Sequence, residues 1–473
     1  MINADSGSYK EIFSISLPLV ISTGSTTLMH FTDRIFLSWY SEEALAAGLP
    51  GGISNFALLC LFLGPASYVS TFVAQYYGAK QYERIGPIVW QGAWFALVAG
   101  LCLMSVIPFA LPIFQLINHP GNLPQLEASY FRILCFGYVF SLLASVFSSF
   151  FIGLGRTKEV MIVNVSCTGL NIILDYAWIF GKWGLPRCGI EGAAYATNVA
   201  IVLSAFIFMA LYFRKENRLK YNALKAYKLV PKLLWRLLRY GLPNGMQLLL
   251  DIAAFTLFVL LVGRLGAVEL AASNIAFNIN TIAFMPMIGF GIAASTLVGQ
   301  YLGRNQPEIA ARCVNRIFAI TITYMSIIAL SYIFTPDLYI KIYGSKENPQ
   351  ILAEIQKLSR TLLLFIALFS FFDSLNVIFC SAIRGAGDTR FIMWVSLISS
   401  AFLVIIPTYL SCVVYKTSIF IPWSFFTFYV AFVGIVFLFR YRGGKWKKMR
   451  VIEMPPTSIQ FIPTEGAKSK ASV

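Results

Sequence analysis

The sequence predicts an all-α, polytopic membrane protein with about twelve transmembrane helices in two pseudo-symmetric halves of six. Apolar residues make up 58% of the 473 residues and charged residues only 12%, whereas soluble domains carry roughly 25% charged residues. The apolar residues gather into about twelve runs, each near the 20 or so residues that one helical crossing needs. Short motifs also recur in the second half in the same order. This composition excludes a soluble enzyme, a disordered protein and a disulfide scaffold.

Charged residues and clusters of Gly, Pro and Asn separate the predicted spans. The spans cover residues 13–39, 46–76, 87–115, 128–152, 160–182, 190–213, 236–263, 270–300, 312–335, 358–383, 391–413 and 418–440. The first run is retained as a span because the residues before it lack the basic n-region of a cleavable signal peptide. The eight cysteines are scattered, without any metal or disulfide spacing, so they are interpreted as packing residues.

Positive charge is concentrated in alternate connections between these spans. The chain has 37 basic and 21 acidic residues, and the connection 214–239 alone carries nine basic residues and one acid. The connection 40–45 carries only glutamates as charged residues. Because cytoplasmic loops are enriched in Lys and Arg, both termini are predicted to be cytoplasmic in a protein of the cell inner (plasma) membrane. The basic surplus is therefore a topology signal, and no nucleic-acid partner is expected.

These signals divide the chain into four predicted parts: an amino-terminal lobe 1–213, a basic linker 214–235, a carboxy-terminal lobe 236–440 and a cytoplasmic tail 441–473. Leucines follow one helical face of the segment 228–240 and basic residues the other, a pattern typical of a helix lying in the membrane interface. A basic linker attracted to anionic lipid is an equally good interpretation. The polar composition after Arg450 predicts a disordered tail.

An internal repeat relates the two lobes. Gln75-Tyr76 aligns with Gln300-Tyr301 at an offset of 225, and the Gly-x-Gly-x-Thr motif at Gly153 recurs at Gly385 at an offset of 232. Six spans repeated in the same orientation are related by an axis along the membrane normal, with a cavity between the halves. This arrangement is typical of transporters.

Two prolines also match across the repeat, Pro18 in the first span and Pro243 in the seventh. Each removes a backbone hydrogen bond within a helix and permits a bend. They are predicted hinges, and tolerated packing prolines are the alternative.

Four aspartates lie within apolar runs: Asp33, Asp175, Asp251 and Asp373. An ionisable group at the centre of a span costs about 2.5–3.5 kcal/mol on insertion scales, so each is a candidate functional residue. None has an acidic counterpart at the repeat-related position, so the halves share a scaffold but differ in chemistry. Structural hydrogen bonds or ion pairs are the alternative role.

Asn171 precedes Asp175 by four residues, so the two side chains share one face of a helix. A carboxylate with a neutral oxygen donor can hold Na⁺, and a carboxylate alone can hold a proton. Either property would allow one cation to be exchanged for another.

In this order, six segments resemble the multidrug and toxic compound extrusion (MATE) transporters over about residues 10–440. They are DRIFLSWYSEEALAAGLP, FVAQYYGAKQYE, GLGRTKEVMIVNV, NIILDYAWIFGKWGLPRCGIEGAAYAT, AASNIAFN and IRGAGDTR. The resemblance implies two lobes around a V-shaped central cleft. It also implies secondary active efflux of small organic, often cationic, compounds in exchange for H⁺ or Na⁺. Such a chain is expected to need no cofactor and to function as a monomer.

In the archaeal and DinF-like branch of this family, the amino-terminal lobe binds the coupling cation. Its motif is similar to Asp33, Asn171, Asp175 and Thr197. The resemblance therefore implies a cation site at these positions, with Na⁺ a candidate ligand of the first three.

In the NorM-like branch, the carboxy-terminal lobe carries acidic residues that match Asp251 and Asp373. Asn274 and Asn278 of the AASNIAFN segment are added to this second-lobe site for cation or substrate. The chain has Phe369 where the NorM pattern has a tyrosine one turn before the second aspartate. It thus combines features of both branches.

Other functions leave different sequence signatures. A flippase or exporter of a lipid-linked or other endogenous metabolite on the same scaffold is the second hypothesis, although it would line the cavity with Arg or Lys. An integral-membrane enzyme is not expected, because the chain has two histidines and neither HExxH nor GxSxG.

Overall fold

The computed structural model describes residues 7–117, 121–341 and 349–453, and within these ranges it is helical without β-strands. The helices of the first half are α1 (Tyr9–Tyr40), α2 (Glu42–Gly78), α3 (Ile85–Met104), α4 (Ala110–Ile117), α5 (Leu123–Cys135), α6 (Tyr138–Gly153), α7 (Thr157–Phe180) and α8 (Ile190–Tyr212). The connection contains α9 (Lys215–Lys220). The second half contains α10 (Pro231–Val262), α11 (Ala267–Gly303), α12 (Pro307–Phe334), α13 (Pro336–Ile340), α14 (Pro349–Ala386), α15 (Thr389–Ser399), α16 (Ile406–Tyr409) and α17 (Phe420–Arg442).

The predicted helical membrane architecture is confirmed. Among the described residues, 11 helices are long and apolar enough to cross a membrane, and the number is twelve when α5 and α6, which meet at an angle of 46°, are counted as one span. The eleventh span, Thr389–Val414, is irregular, because π-helical segments at Ser400–Ile405 and Leu410–Val414 flank α16. Several helices extend beyond their apolar runs, α1 from Tyr9 and α2 to Gly78.

Apolar cores show how the two lobes meet. One core contains only first-half residues, from Leu37 to Ala194, and another contains only second-half residues, from Phe258 to Val430. The two remaining cores mix the halves. The start of α1 packs among residues 290–446, and Leu237 packs with first-half residues and the segment after α17. The lobes are thus joined at the end of the bundle that carries the connection 213–230, here called the linker side, and diverge toward the opposite side.

Glycines allow the lobes to touch backbone to backbone. A Cβ atom added at Gly64 of α2 would lie 2.2 Å from the amide nitrogen of Gly245 on α10. The repeat-related pair Gly78 and Gly303 approaches the opposite lobe in the same way, at the carbonyl oxygens of Gln300 and Gln75. Small residues at helix crossings allow this close packing.

The segment predicted as a basic linker or interfacial helix continues into the seventh span. Residues 231–240 form the first turns of α10, which runs unbroken to Val262. Leu237 is fully buried in the mixed core, whereas Leu229 is 55% exposed. Part of the leucine-rich face therefore packs against protein, and its location at the membrane interface stays a prediction.

The first residues of the predicted cytoplasmic tail, 441–453, pack against the rest of the protein, and residues 454–473, on which most of the predicted disorder falls, lie outside the described residues. Trp446 stacks on Tyr441 with ring centroids 5.0 Å apart, and Val451 and Ile452 are buried in the first lobe's core. The ordered part of this tail, residues 445–453, is called the C-terminal strap below. The charged composition of the strap favours exposure to water, but the burial of its few apolar side chains fixes its position against the protein.

Candidate functional site

Three of the predicted first-lobe residues lie together between α1 and α7. Asp33 is 7% exposed, and Asn171 and Asp175 are fully buried. The carboxyl groups of Asp33 and Asp175 interact directly. The packing of α1 along α7 therefore brings together two residues that are 142 positions apart in the sequence.

Most polar atoms of this group have no hydrogen-bond partner among the described residues. They are Oδ1 of Asp33, both side-chain amide atoms of Asn171 and both carboxyl oxygens of Asp175. Buried polar groups are nearly always satisfied, and two adjacent carboxylates in an apolar setting need a proton or a cation between them. The arrangement has the chemistry of a binding site for a small cation.

The donor set suits a hard cation. It offers two carboxylates and an amide oxygen, which are ligands that hard cations such as Na⁺ accept. Among the described residues, no group of three or more His, Cys, Asp or Glu side chains is arranged to hold a metal ion. Na⁺ would therefore depend on the neutral oxygen of Asn171 and on water.

Thr197, the fourth predicted residue of this site, is not brought to the two aspartates by any hydrogen bond among the described residues, and it is partly exposed on α8. Tyr130, buried on α5, lies near both carboxyl groups. Its position had no sequence signal, because it depends on how α5 packs against α2.

The second lobe contains a partly open cavity of about 270 Å³. Asp251 of α10 and Asp373 of α14 both line it, together with the polar side chains of Gln247, Asn280, Asn376 and Ser396. The aromatic side chains of the wall are Phe255, Phe277, Phe284, Phe369, Phe426 and Tyr429. The cavity thus combines two acidic groups with a largely aromatic wall.

Hydrogen bonds connect the cavity carboxylates to their neighbours. Gln247 donates through Nε2 to Oδ2 of Asp251, at 3.2 Å, and accepts at Oε1 from Nη2 of Arg384, at 2.9 Å. Asp373 has Asn376 as a side-chain partner. Tyr429 of α17 interacts electrostatically with both aspartates, so a phenol is present in this cavity although position 369 is phenylalanine.

Asn274 and Asn278 do not line this cavity. Both are exposed on α11, whereas Asn280 lines the cavity. Residues four apart share a helix face, and a step of two residues turns about 200° around the helix. A role of Asn274 and Asn278 in binding a cation or substrate stays a prediction.

The irregular eleventh span contributes to the same cavity. Ser396 precedes its first π-helical segment and Val404 lies within it, and both line the cavity. π-Helical turns occur frequently at functional sites. Pro18 and Pro243 lie inside α1 and α10, both of which continue through them, and their role as hinges stays a prediction.

A hydrogen-bonded closure joins the lobes on the linker side. Gln75 donates to the carbonyl oxygen of Gly385 at 3.0 Å, and Gln300 donates to that of Gly153 at 2.9 Å. Tyr68 donates to the carbonyl oxygen of Arg384 at 2.9 Å. These contacts, with the glycine crossings, are called the linker-side closure below.

Two duplicated helical lobes that meet at one end and hold buried carboxylates define the class of this protein as a multi-pass membrane protein on a transporter scaffold. The MatE family model matches it twice, over residues 18–177 and 243–410. The chain belongs to this family, the MATE family.

Relatives and solved structures agree with this assignment. The chain is 30% identical over 379 residues to the multidrug resistance protein NorM of Burkholderia vietnamiensis, a match covering 80% of this chain and 81% of the relative. It is 27% identical over 451 residues to a probable NorM protein of Thermotoga maritima, covering 94% of each. A multidrug resistance MATE family transporter of the MOP superfamily, solved in an outward-facing conformation, has a TM-score of 0.84 at 20% identity, over 93% of this chain and 97% of that one. This last likeness concerns the fold.

Proposed function

We propose that the protein is a secondary active multidrug efflux antiporter, which exports organic and often cationic compounds in exchange for H⁺ or Na⁺. The observation that carries the proposal is the buried pair of Asp33 and Asp175, whose carboxyl groups interact directly, with Asn171 one helical turn from Asp175. Two carboxyl groups in contact in an apolar setting need a proton or another cation between them. Reversible uptake of that cation is what exchange transport requires. The curated relatives named as multidrug resistance proteins support the same function.

The second-lobe cavity is suited to an organic cation or to a second coupling ion. Its two carboxylates supply negative charge, and aromatic faces attract cations that have lost water. A volume of about 270 Å³ accommodates a small ligand or part of a larger one. Tyr429 supplies the hydroxyl group that Phe369 does not.

The positions of the two sites fit an alternating-access cycle. We place the linker side in the cytoplasm, because it carries the basic connection and both described chain ends. The linker-side closure then seals the cleft toward the cytoplasm, while the lobes diverge on the other side. A coupling cation arriving from outside would bind this conformation and favour the change to the other.

The test is efflux of a fluorescent cationic dye from proteoliposomes under Na⁺ and pH gradients imposed separately. Asp33→Asn and Asp175→Asn are expected to lose gradient-driven efflux while wild type responds to one of the gradients. Asp337→Asn is the matched control, because Asp337 is paired with Arg360 at an exposed position. Undiminished gradient-driven efflux by both buried-site variants would refute the first-lobe site.

The same vesicles distinguish the second hypothesis, export of a lipid-linked or other endogenous anionic metabolite. A cavity for phosphates would be lined by Lys and Arg, whereas the charged side chains that line the second-lobe cavity are aspartates. Transport of an anionic lipid analogue, without transport of the dye, would favour that hypothesis instead.

A further inference from the structure

Arg384 occupies a position between the second-lobe cavity and the linker-side closure. It lies near the end of α14, one turn beyond Cys380, and its side chain is only partly exposed. Its Nη2 atom lies 2.9 Å from Oε1 of Gln247 and 3.6 Å from the sulfur of Cys380, while its buried Nε atom has no partner among the described residues. The guanidinium is thus held mainly by one amide oxygen.

Gln247 connects this guanidinium to Asp251. Its amide oxygen faces the cation and its amide nitrogen faces the carboxylate, 3.2 Å from Oδ2. Rotating the amide by half a turn would place oxygen against carboxylate and nitrogen against guanidinium. The two opposite charges therefore fix its orientation, and because Gln247 is buried this contact is shielded from solvent.

The main chain of the same residue takes part in the closure. The carbonyl oxygen of Arg384 accepts from Tyr68, and that of the next residue, Gly385, accepts from Gln75. Gln75 in turn accepts from the amide of Val451 in the C-terminal strap, at 2.8 Å. Hydrogen bonds therefore lead from the cavity carboxylate to the side chain of Arg384 and, through the main chain of residues 384 and 385, from Gly385 to Gln75 and the strap.

We propose that Arg384 is a positioning residue that links cation occupancy of the second-lobe cavity to the linker-side closure. The guanidinium is the internal counter-charge of Asp251 while no other cation is bound. This inference rests on the proposed antiport function and adds to it the residue through which one site acts on the closure.

The net charge of Asp251 and Arg384 explains how the two regions are linked. Without another cation, the carboxylate and the guanidinium together are neutral. A proton or Na⁺ at Asp251 leaves the guanidinium as an uncompensated charge in a poorly solvated place, where electrostatic interactions are strong. Arg384 then leaves Gln247, its main chain moves with it, and the bonds to Tyr68 and Gln75 weaken.

The test is hydrogen exchange of the C-terminal strap, measured by mass spectrometry on the full chain. Asp251→Asn imitates a neutralised carboxylate and Arg384→Gln removes the counter-charge. Each is expected to speed exchange of residues 445–453 about fivefold or more. Because both break the same contact, the double variant is expected to exchange no faster than the single ones. Arg384→Lys, which keeps the charge, is expected to restore most of the protection.

One control makes the test specific. Arg390→Gln makes the same change at an exposed arginine six residues away. It is expected to leave exchange of the strap unchanged. Wild-type exchange rates in Asp251→Asn and Arg384→Gln, a multiplicative effect in the double variant, or the same effect in Arg390→Gln would each overturn the proposal. Exchange needs no transport, so these outcomes are independent of the dye-efflux test.

Discussion

Gln75 and Gln300 cross between the lobes in opposite directions and make the same hydrogen bond. Gln75 of α2 donates to the carbonyl oxygen of Gly385, and Gln300 of α11 donates to that of Gly153. The glutamines are repeat-related, and so are the glycines. The internal repeat thus produces two equivalent inter-lobe hydrogen bonds, each donated by the glutamine of one lobe to the glycine of the other.

This symmetry is broken by the C-terminal strap. Among the described residues, Gln75 alone of the two also accepts a hydrogen bond, from the amide of Val451 at 2.8 Å. We expect Gln75→Leu to lower the thermal unfolding midpoint more than Gln300→Leu, because it leaves two buried backbone groups unpaired instead of one. Each such group costs about 1–3 kcal/mol.

The measurement is thermal unfolding in detergent, with Gln125→Leu as the control at an exposed position. A midpoint for Gln300→Leu at or below that of Gln75→Leu would contradict the asymmetry.

Gly245→Ala is expected to destabilise the protein by about 1–3 kcal/mol, because overpacking at a close contact displaces its neighbours. The added Cβ would lie 2.0 Å from the carbonyl oxygen of Leu61 on the other lobe, so the two helices must separate. Gly24→Ala is the matched control within a transmembrane helix. No atom lies within 4 Å of its Cβ, and replacing a helical glycine by alanine is stabilising by about 0.5–1 kcal/mol. Opposite shifts of the unfolding midpoint are therefore expected, and a fall of equal size in both variants would argue against the backbone contact.

Glu453 gives the C-terminal strap a pH dependence. Hydrogen bonds from Arg236 and Arg84 hold the pKa of its carboxyl group below the ordinary value of 4.5. A lowered pKa in the folded protein means that the stabilisation is complete above the unfolded value and disappears as pH falls through the folded one. The wild-type advantage over Glu453→Gln should therefore be constant near neutrality and shrink below about pH 4.5.

The size of this effect is small, because both carboxylate and arginines are partly exposed and surface ion pairs contribute little. Unfolding midpoints of the two proteins across this pH range provide the measurement, with Glu43→Gln at an exposed site as the control. An advantage that grows on acidification would show that the pKa is not lowered.

Asp175→Asn is expected to abolish stabilisation by the coupling ion. A ligand that binds only the folded protein stabilises it by about 2.7 kcal/mol at a concentration of 100 Kd. Wild type should therefore unfold at a higher temperature on addition of Na⁺, or on acidification if protons are coupled. A full ligand-dependent rise in Asp175→Asn, equal to that of the exposed control Asp337→Asn, would exclude Asp175 from the site.

Sequence reasoning succeeded where the evidence was local or carried by the repeat. The spans follow from the length of apolar runs, and the two matched stretches of the family model reflect the duplication already visible at offsets of 225 and 232. Asp33 and Asp175 are candidates from the sequence alone, because an aspartate inside a membrane span has a free-energy cost that a functional role would explain. The structure brings their carboxyl groups together, one helical turn from Asn171.

Sequence reasoning could not decide which surface a helix face packs against. Leu237 could have packed against lipid or protein, and it packs against the first lobe. Asn278 and Asn280 are two residues apart on α11, and only the second lines the cavity. In the C-terminal strap, the burial of Val451 and Ile452 fixes the position of the segment, although the residues around them are polar or charged.

The sequence by itself determined a duplicated, twelve-span membrane protein with aspartates inside its spans, because hydrophobic length, repeat offsets and the cost of burying charge are properties of the chain. Only the tertiary structure decided which polar groups work together. The Arg384–Gln247–Asp251 contact joins α14 to α10, and Asp33 meets Asp175 only because α1 packs along α7. Such pairings depend on the packing of helices distant in sequence, and no local pattern encodes them.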